Sequence, residues 1–135
     1  MPGSFIDSNI LLTLASNDPA KADKAEQIIA AGGAMSVQVL NEVANVARRK
    51  MQMSWPETHA FLDILQQLLT VHPLTFETHQ TGLALAERYQ LSTHDSMITA
   101  AALTAGCDSL LSEDMPDGLR INNRLRVTNP FRPAD

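Results

Sequence analysis

The sequence predicts an α/β domain built around a short, mainly parallel sheet. Short segments of strand-forming residues alternate along the chain with longer segments whose apolar residues recur at helical spacing. A chain of 135 residues that is 44% hydrophobic is long enough for one compact core and too short for two ordinary domains. No linker rich in Pro, Gly or Ser interrupts it, so residues 1–135 are predicted to form a single domain.

The first half of the chain begins with a strand candidate, SFID, followed at once by a helical segment with Ser8 or Asn9 as its N-cap. The next helix has Asp18 as its N-cap, Pro19 in its first position and Gly32 as its terminator. The predicted elements of this half are a strand at 4–7, helices at 8–16 and 19–31, a strand at 34–36, and helices at 37–50 and 55–69.

The second half continues the alternation of strands and helices. A capping box of Ser54 and Glu57 begins the helix at 55–69, and Ser92 caps a later helix with Asp95 in its first turn. The other predicted elements are a strand at 71–76, a helix at 77–90, a strand within 107–114, and edge strands at 118–121 and 125–129. In α/β sheets of this kind, ligands bind beyond the carboxyl ends of the strands.

The charge balance limits how the protein meets nucleic acid. The net charge is −5 at pH 7, so no overall positive field attracts phosphate, and a nucleic-acid partner requires metal ions or a local basic patch. The chain has two basic clusters, formed by Arg120, Arg124, Arg126 and Arg132 and by Arg48, Arg49 and Lys50. Solvated helix ends and a polar tail explain both clusters equally well.

Cysteine content and hydropathy favour a cytoplasmic protein. The single cysteine, Cys107, has no partner for an internal disulfide, which suits a reducing compartment. The apolar run ILLTLA, from Ile10, is far too short to span a membrane. We therefore expect no membrane partner.

Acidic residues in four different elements suggest a shared site. Asp7 and Asp114 each follow a short apolar strand, at the edge of the sheet where ligands bind. Glu42 borders the apolar stripe of its helix, and Asp95 begins a helix that is otherwise suited to close packing. A carboxylate near the core must be paired, hydrogen-bonded or bound to metal, because uncompensated burial costs on the order of several kcal/mol.

Each of these acids also has an ordinary structural explanation. Asp7 fits a helix cap, Asp95 fits the third position of a capping box with Ser92, and Glu42 has Arg49 seven residues on as a pairing partner. One shared site explains all four acids at once. Like charges held close together repel unless a cation joins them, and oxygen ligands without His or Cys favour Mg²⁺ or Mn²⁺.

Other chemistries are disfavoured by the residue types present. The four histidines show no paired spacing for zinc, and His94 is interpreted as a solvated residue of a first helical turn. The sequence contains no glycine-rich phosphate loop, no G-x-S-x-G motif and no cysteine placed as a nucleophile.

Four stretches of the chain, in this order, resemble the PIN-domain family, and most closely the VapC-type toxins of bacterial toxin–antitoxin pairs. They are FIDSN, SVQVLNEVANV, LSTHDSMITAAAL and LLSEDMPDG, and the resemblance extends from Phe5 to about Val127. It implies a three-layer α/β/α fold and a metal-dependent endoribonuclease that hydrolyses RNA phosphodiester bonds. It also implies an RNA substrate, a cognate antitoxin whose C-terminal segment covers the active site, and a homodimer.

The resemblance also implies roles for particular residues. The family's catalytic, metal-binding acids correspond to Asp7, Glu42, Asp95 and Asp114, and a further metal-binding acid corresponds to Asp117. The supporting polar residues are Ser8, Asn9 and Ser112, where serine at 8 and 112 keeps the hydroxyl of the family's usual threonine. Glu113 beside Asp114 leaves open which carboxylate of this loop reaches the Mg²⁺ or Mn²⁺ ion.

Two other functions are compatible with the same residues. The first is a non-catalytic PIN-like module that binds RNA or protein and keeps the acids without using them. The second is a phosphatase or phosphotransferase with Asp7 as nucleophile, which expects a second aspartate two positions on, where this chain has Asn9. The phosphatase ranks below the binding module.

Overall fold

The structure is a computed structural model that describes residues 3–132. Its elements in chain order are β1 (Ser4–Ile6), α1 (Ser8–Leu12), a 3₁₀ turn (Thr13–Ala15), α2 (Pro19–Ala30), β2 (Ala34–Ser36), α3 (Val37–Arg49), α4 (Trp55–Leu68), β3 (Thr70–His72), α5 (Phe76–Tyr89), α6 (Thr93–Thr104), β4 (Ser109–Leu111), β5 (Arg120–Ile121) and β6 (Leu125–Thr128). Within residues 3–132, no helix reaches the length and apolarity that crossing a membrane requires.

The sheet is mainly parallel, as the sequence predicts. Its strand order is β3-β2-β1-β4-β6-β5, and only β5 runs antiparallel to its neighbour. Ile6 at the end of β1 is in register with Leu111 at the end of β4, and the Asp7 amide donates to the Leu111 carbonyl at 3.0 Å. Asp7 and Ser112 therefore leave the sheet side by side at its carboxyl edge.

Helices cover the sheet in the three-layer α/β/α arrangement of the PIN fold. The central strands are buried on both faces, with Phe5, Ile6, Met35 and Leu110 fully inaccessible to solvent, as expected for a parallel sheet between helical layers. On the helical side, α5 packs along α6, and α3 contacts both α1 and α4. This packing places the strand ends and the helix starts of the carboxyl edge next to one another.

Helix α6 is the most deeply buried helix. All eight residues from 96 to 103 are buried, and three of them, Ala100 to Ala102, are the small residue Ala. Gly82 of α5 faces Met97, where a Cβ added to the glycine would lie 2.6 Å from the methionine sulfur. The small residues allow α5 and α6 to approach closely, which fixes the start of α6 and with it Asp95.

Several boundaries differ from the sequence prediction, and the segment predicted as one helix over 8–16 is α1 followed by the 3₁₀ turn. The N-cap of α1 is Asp7, whose carboxylate accepts from the Ser8 amide, and the prediction of Ser8 or Asn9 was wrong. Strand β3 ends at His72, not at residue 76, because Pro73 has no amide hydrogen to donate to the sheet. Thr75 then caps α5.

Candidate metal centre

Asp7 is the central side chain of the carboxyl edge. It is only 3% exposed, and both of its carboxylate oxygens accept hydrogen bonds. Oδ1 accepts from the Ser8 amide at 2.7 Å, and Oδ2 accepts from the Ser112 hydroxyl at 2.8 Å and from the Asn9 amide nitrogen at 3.1 Å. A single acid thus connects the end of β1, the start of α1 and the end of β4.

Asn9 extends this network to Asp114. Its Nδ2 donates to Asp114 Oδ2 at 3.2 Å as well as to Asp7, and its Oδ1 accepts from the Glu113 amide at 3.0 Å. The predicted supporting residue therefore lies between two of the predicted acids. It also fixes the loop after β4 to the start of α1.

Glu42 joins the network from α3. One carboxylate oxygen accepts from the Ser8 hydroxyl, and the other contacts His94 Nε2. His94 is held in turn by Gln38, whose Nε2 lies 3.1 Å from His94 Nδ1 and donates to the His94 carbonyl at 3.2 Å. Within residues 3–132 Arg49 forms no ion pair with Glu42, and His94 is the side chain in contact with that carboxylate oxygen.

Asp95 follows His94 in the first turn of α6. Its amide donates to the Ser92 hydroxyl at 3.1 Å, which confirms the predicted cap. Its carboxylate is half-buried and lies close enough to Asp7 to affect that residue's pKa. The structure thus brings Asp7, Glu42, Asp95 and Asp114 to one edge of the sheet.

Burial and neighbouring charges raise the pKa of Asp7 above its ordinary value. Burial is the largest cause, and repulsion from Glu42 and Asp95 acts in the same direction. Hydrogen bonds from Ser112 and from the Ser8 amide oppose the increase but do not cancel it. The neutral form of Asp7 is therefore favoured more than in a solvated carboxyl, and a bound cation would reverse this preference.

The types of ligand at this edge suit a divalent metal ion, but the side chains are not yet arranged around one. Carboxylate, amide and hydroxyl oxygens at one edge are ligands that Mg²⁺ and Mn²⁺ prefer. Within residues 3–132, however, no three Asp, Glu, His or Cys side chains already form a group that could hold an ion. Serine, asparagine and histidine donors hold the carboxylates instead, so metal binding requires side-chain rotations within the network.

The other acids of the loop after β4 have separate partners. Glu113 forms an ion pair with Lys21 of α2, which raises the pKa of Lys21. Asp117 accepts from the Asn129 amide at 2.8 Å and from Arg132 at 3.3 Å. These contacts hold Asp117 against the segment after β6, and no hydrogen bond found within residues 3–132 connects it to Asp7, so its assignment as a metal ligand stays a prediction.

Most of the C-terminal arginine cluster lies away from this edge. Arg120 and Arg126 are opposite each other on β5 and β6, and Arg126 is in register with Ser109 at the start of β4. Together with Arg124 they line a cavity of about 140 Å³ beside Asp108. Arg120, Arg124 and Arg126 therefore lie at the opposite edge of the sheet from the acids.

Two contacts of the site residues are not apparent from the sequence. The interpretation of His94 as solvated is incomplete, because His94 binds Glu42. Lys21, which no sequence motif marks, neutralises Glu113. In both pairs the partners are far apart in the chain, and the only local signal is the adjacency of His94 to Asp95.

The fold and the site together define a class. The protein is an α/β/α domain with a mainly parallel sheet between helical layers. Its acidic residues come from the end of β1, from α3, from α6 and from the loop after β4, and they gather at the carboxyl edge of the sheet. A family model described as PIN domain matches residues 4–115. The chain belongs to the PIN domain family.

Solved structures show the same fold. A toxin–antitoxin complex from Klebsiella pneumoniae has a TM-score of 0.73 at 22% identity, covering 97% of this chain and 100% of that chain. The sarcin–ricin loop cleaving toxin VapC20 from Mycobacterium tuberculosis has a TM-score of 0.69 at 18% identity, covering 83% and 90%. VapBC2 from Rickettsia felis, bound to a promoter DNA fragment, has a TM-score of 0.67 at 19% identity, covering 93% and 97%. No curated protein sequence matches the chain.

Proposed function

We propose that this protein is a Mg²⁺- or Mn²⁺-dependent endoribonuclease and the toxin of a toxin–antitoxin pair. The observation that carries the proposal is the network at the carboxyl edge, in which Ser8 and Asn9 connect Asp7 with Glu42 and Asp114. PIN domains of the VapC type are generally ribonucleases. A structural neighbour with the same fold is a toxin that cleaves the sarcin–ricin loop.

The acids have different roles in the proposed site. Asp7, Asp95 and Asp114 would hold a divalent cation directly, and Glu42 would be a further ligand or a base acting through water. A cation bound there would supply activation of water and stabilisation of negative charge on the phosphate. Asn9 positions Asp7 and Asp114 relative to each other, and Asp117 supports the turn after β4.

The supporting contacts determine how the acids are oriented. Ser8 and His94 hold the two oxygens of Glu42, and Ser112 holds Asp7. Hydrogen bonds of this kind keep a carboxylate in one orientation and reduce the reorganisation needed at the reacting phosphate. The chain thus supplies a partly preorganised site whose remaining adjustment is side-chain rotation.

The direct test is RNA cleavage by antitoxin-free protein. Wild type is incubated with total cellular RNA in Mn²⁺ or in EDTA and the new RNA ends are sequenced, in parallel with Asp95→Asn and with a control, Asp108→Asn, at the opposite edge of the sheet. We expect discrete ends with wild type and the control in Mn²⁺, and none with Asp95→Asn or in EDTA. Cleavage that persists in Asp95→Asn would contradict the proposal.

The alternative is a non-catalytic PIN-like module that binds RNA or protein. It is favoured by the lack, among the residues that the structure describes, of a ready three-ligand group for a metal. It predicts no increase in melting temperature when Mg²⁺ or Mn²⁺ is added to the folded protein. A nuclease with this acidic edge predicts a clear increase, because the cation removes the repulsion among the acids.

An antitoxin helix has a suitable groove between α2 and α4. The groove has a volume of about 300 Å³ and is lined by Leu14, Glu26, Ile29, Ala30, Ile64 and Leu68. Ile64 and Leu68 are each about half exposed, and an amphipathic helix buries such a surface. Ile64→Asp is expected to weaken binding of the co-encoded antitoxin in a calorimetric titration, and unchanged affinity would place the antitoxin elsewhere.

A homodimer has an apolar surface available on α5. Phe76 is 74% exposed, and Leu83, seven residues on, is 47% exposed on the same helical face. Sedimentation analysis is expected to show a dimer for wild type and a monomer for the double variant Phe76→Lys with Leu83→Lys. A monomeric wild type would contradict the dimer.

A further inference from the structure

The chain's single tryptophan lies on the surface next to a basic helix end. Trp55, the first residue of α4, is 59% exposed. It lines a cavity of about 440 Å³ together with Ala44, Asn45, Arg48 and Arg49 of α3. This volume is within the range of small-ligand sites, which is about 300–1,000 Å³. Arg48 and Arg49 of the basic cluster and the Trp55 ring therefore line the same cavity.

Arg48 and Trp55 form a preformed stack. The Arg48 guanidinium carbon lies 4.1 Å from the centre of the indole ring, and one of its nitrogens donates to the Met53 carbonyl at 2.5 Å. This hydrogen bond fixes the guanidinium plane, so the stack exists before any ligand arrives. Stacked guanidinium and aromatic planes are surfaces on which unpaired nucleobases stack, because every base has a π-face.

The surface of the cavity is mostly apolar, and its polar groups are the guanidinium groups of Arg48 and Arg49 and the amide of Asn45. Arg49 is exposed beside Arg48, and no Asp or Glu is among the residues that line the cavity. The nearby acid of α4, Glu57, is occupied in the capping box with Ser54. In a chain with a net charge of −5, a pocket with two guanidinium groups and no lining acid favours a negatively charged ligand.

The cavity begins on the face of α3 that carries Glu42 and extends around the helix to Arg48. Asn45 and Arg49 follow Glu42 by three and seven residues, which places all three side chains along one face of the helix. The rise of an α-helix separates Arg49 from Glu42 by about 10 Å along the axis. A strand that followed this face of α3 away from Glu42 would meet Asn45 and Arg49, which border the cavity.

We propose that this cavity binds one unpaired nucleotide of the RNA substrate, with the base on the Arg48–Trp55 stack and a phosphate on Arg49. Asn45 offers an amide that can pair with the edge of the base. The proposal rests on the proposed ribonuclease function, and it specifies single-stranded RNA, rather than a duplex, at this position. Trp55 and Arg48 are positioning residues in this scheme.

Tryptophan fluorescence reports on this site directly because Trp55 is the only tryptophan. The experiment titrates the full-length protein in EDTA, where the proposed cleavage does not occur, with a short single-stranded RNA of mixed sequence. An RNA oligomer of equal length with abasic positions and an RNA duplex serve as controls. We expect saturable quenching by the single strand only, and equal quenching by the abasic oligomer would overturn base stacking.

Variants separate stacking from simple charge attraction. With fluorescently labelled RNA and anisotropy as the readout, Trp55→Ala is expected to weaken binding about tenfold and Trp55→Phe to restore most of the affinity. Arg49→Gln is compared with Arg124→Gln, which removes the same charge at the opposite edge of the sheet, and the loss is expected to be larger for Arg49→Gln. Equal losses, or wild-type affinity in Trp55→Ala, would overturn the site.

The outcomes also distinguish this site from the proposed nuclease function. Quenching by single-stranded RNA without cleavage in Mn²⁺ supports the stacking site and contradicts the proposed nuclease function. Metal-dependent cleavage by wild type, with unchanged RNA affinity in Trp55→Ala, supports the nuclease function and contradicts the stacking site. If Trp55→Ala loses antitoxin binding but keeps RNA binding, the surface belongs to the protein partner and the proposal fails.

Discussion

Asp7 has two roles that are compatible in one residue. It caps α1 through the Ser8 amide, and it is the acid to which Ser112 and Asn9 both donate. A cap requires only an acceptor, so Asn serves nearly as well as Asp at that position. The cap alone therefore does not require the negative charge of Asp7, and the site explains the burial of this charge near Glu42 and Asp95.

The first prediction concerns Asp7→Asn and pH. Because the pKa of Asp7 is raised in the folded protein, its contribution to stability is fully present below the unfolded-state pKa and is lost as the pH rises through the folded-state pKa. At pH 7 and without metal, Asp7→Asn is expected to keep or raise the melting temperature while RNA cleavage is abolished. Thermal melts across pH check this, and a clearly lower melting temperature at pH 7 would make Asp7 a structural cap.

The second prediction concerns Asp117, whose role differs from that of Asp7. Hydrogen bonds from the Asn129 amide and from Arg132 lower the pKa of Asp117. Its contribution to stability is therefore present above the unfolded-state pKa and is lost as the pH falls through the lowered folded-state pKa. Asp117→Asn is expected to lower the melting temperature at pH 7 and to match wild type in strong acid, as thermal melts at the two pH values would show.

Metal binding provides the control for Asp117. Asp117→Asn is expected to keep the metal-induced rise in melting temperature, because the Asp117 carboxylate of the wild type supports the turn after β4 and does not bind the metal in the proposed site. Loss of that rise in a folded Asp117→Asn protein would instead make Asp117 a ligand, as the family resemblance implies.

At the scale of elements, the contact between α5 and α6 fixes the start of α6, which carries Asp95. Gly82 has no side chain where Met97 approaches, and a Cβ there would lie 2.6 Å from the methionine sulfur and 3.0 Å from its methyl carbon. Met97 is buried, so it has little room to move away. The glycine is therefore maintained by packing, against the usual preference for Ala in a helix.

The third prediction follows from this contact. Gly82→Ala is expected to destabilise the protein by about 1–3 kcal/mol, which is the usual cost of overpacking, although Ala in a helix normally gains about 1 kcal/mol over Gly. In the background of Met97→Ala the same change is expected to stabilise. Denaturant unfolding of the four proteins of this double-mutant cycle measures the difference, and identical effects in both backgrounds would contradict close packing.

The elements that the sequence predicted well are those with local signals. Asp18, Ser54 and Ser92 were predicted as caps and are caps, because a cap depends on residues within one turn. The strand predicted at 71–76 is longer than the observed β3, because Pro73 ends the strand and Thr75 caps the next helix. The cap of α1 was misplaced because three adjacent polar residues, Asp7 to Asn9, all suit the position.

The site was predictable only in part for the same reason. Strand ends identified Asp7 and Asp114, and the border of an apolar stripe identified Glu42. The contact of Glu42 with His94 and that of Glu113 with Lys21 join separate helices and loops. No periodicity or cap reports such contacts, because they depend on how α3, α6 and α2 pack.

At the scale of the whole molecule, the strand order explains how distant acids meet. β1 lies between β2 and β4, so the residue after β1, the helix after β2 and the loop after β4 all begin at one edge. Each of these segments brings an acid to that edge: Asp7, Glu42 and Asp114. The parallel topology thus concentrates negative charge at the edge where sheets of this kind bind their ligands.

We propose that Asp7, Glu42, Asp95 and Asp114 form one shared metal site, and a calorimetric titration with Mn²⁺ measures whether they do. The fourth prediction is saturable binding to wild type and to the control Asp108→Asn, with a marked loss of affinity in each of Asp7→Asn, Asp95→Asn and Asp114→Asn, all at the same pH and all folded. Equal Mn²⁺ binding by Asp7→Asn and wild type, or no binding by folded wild type, would contradict a shared metal site.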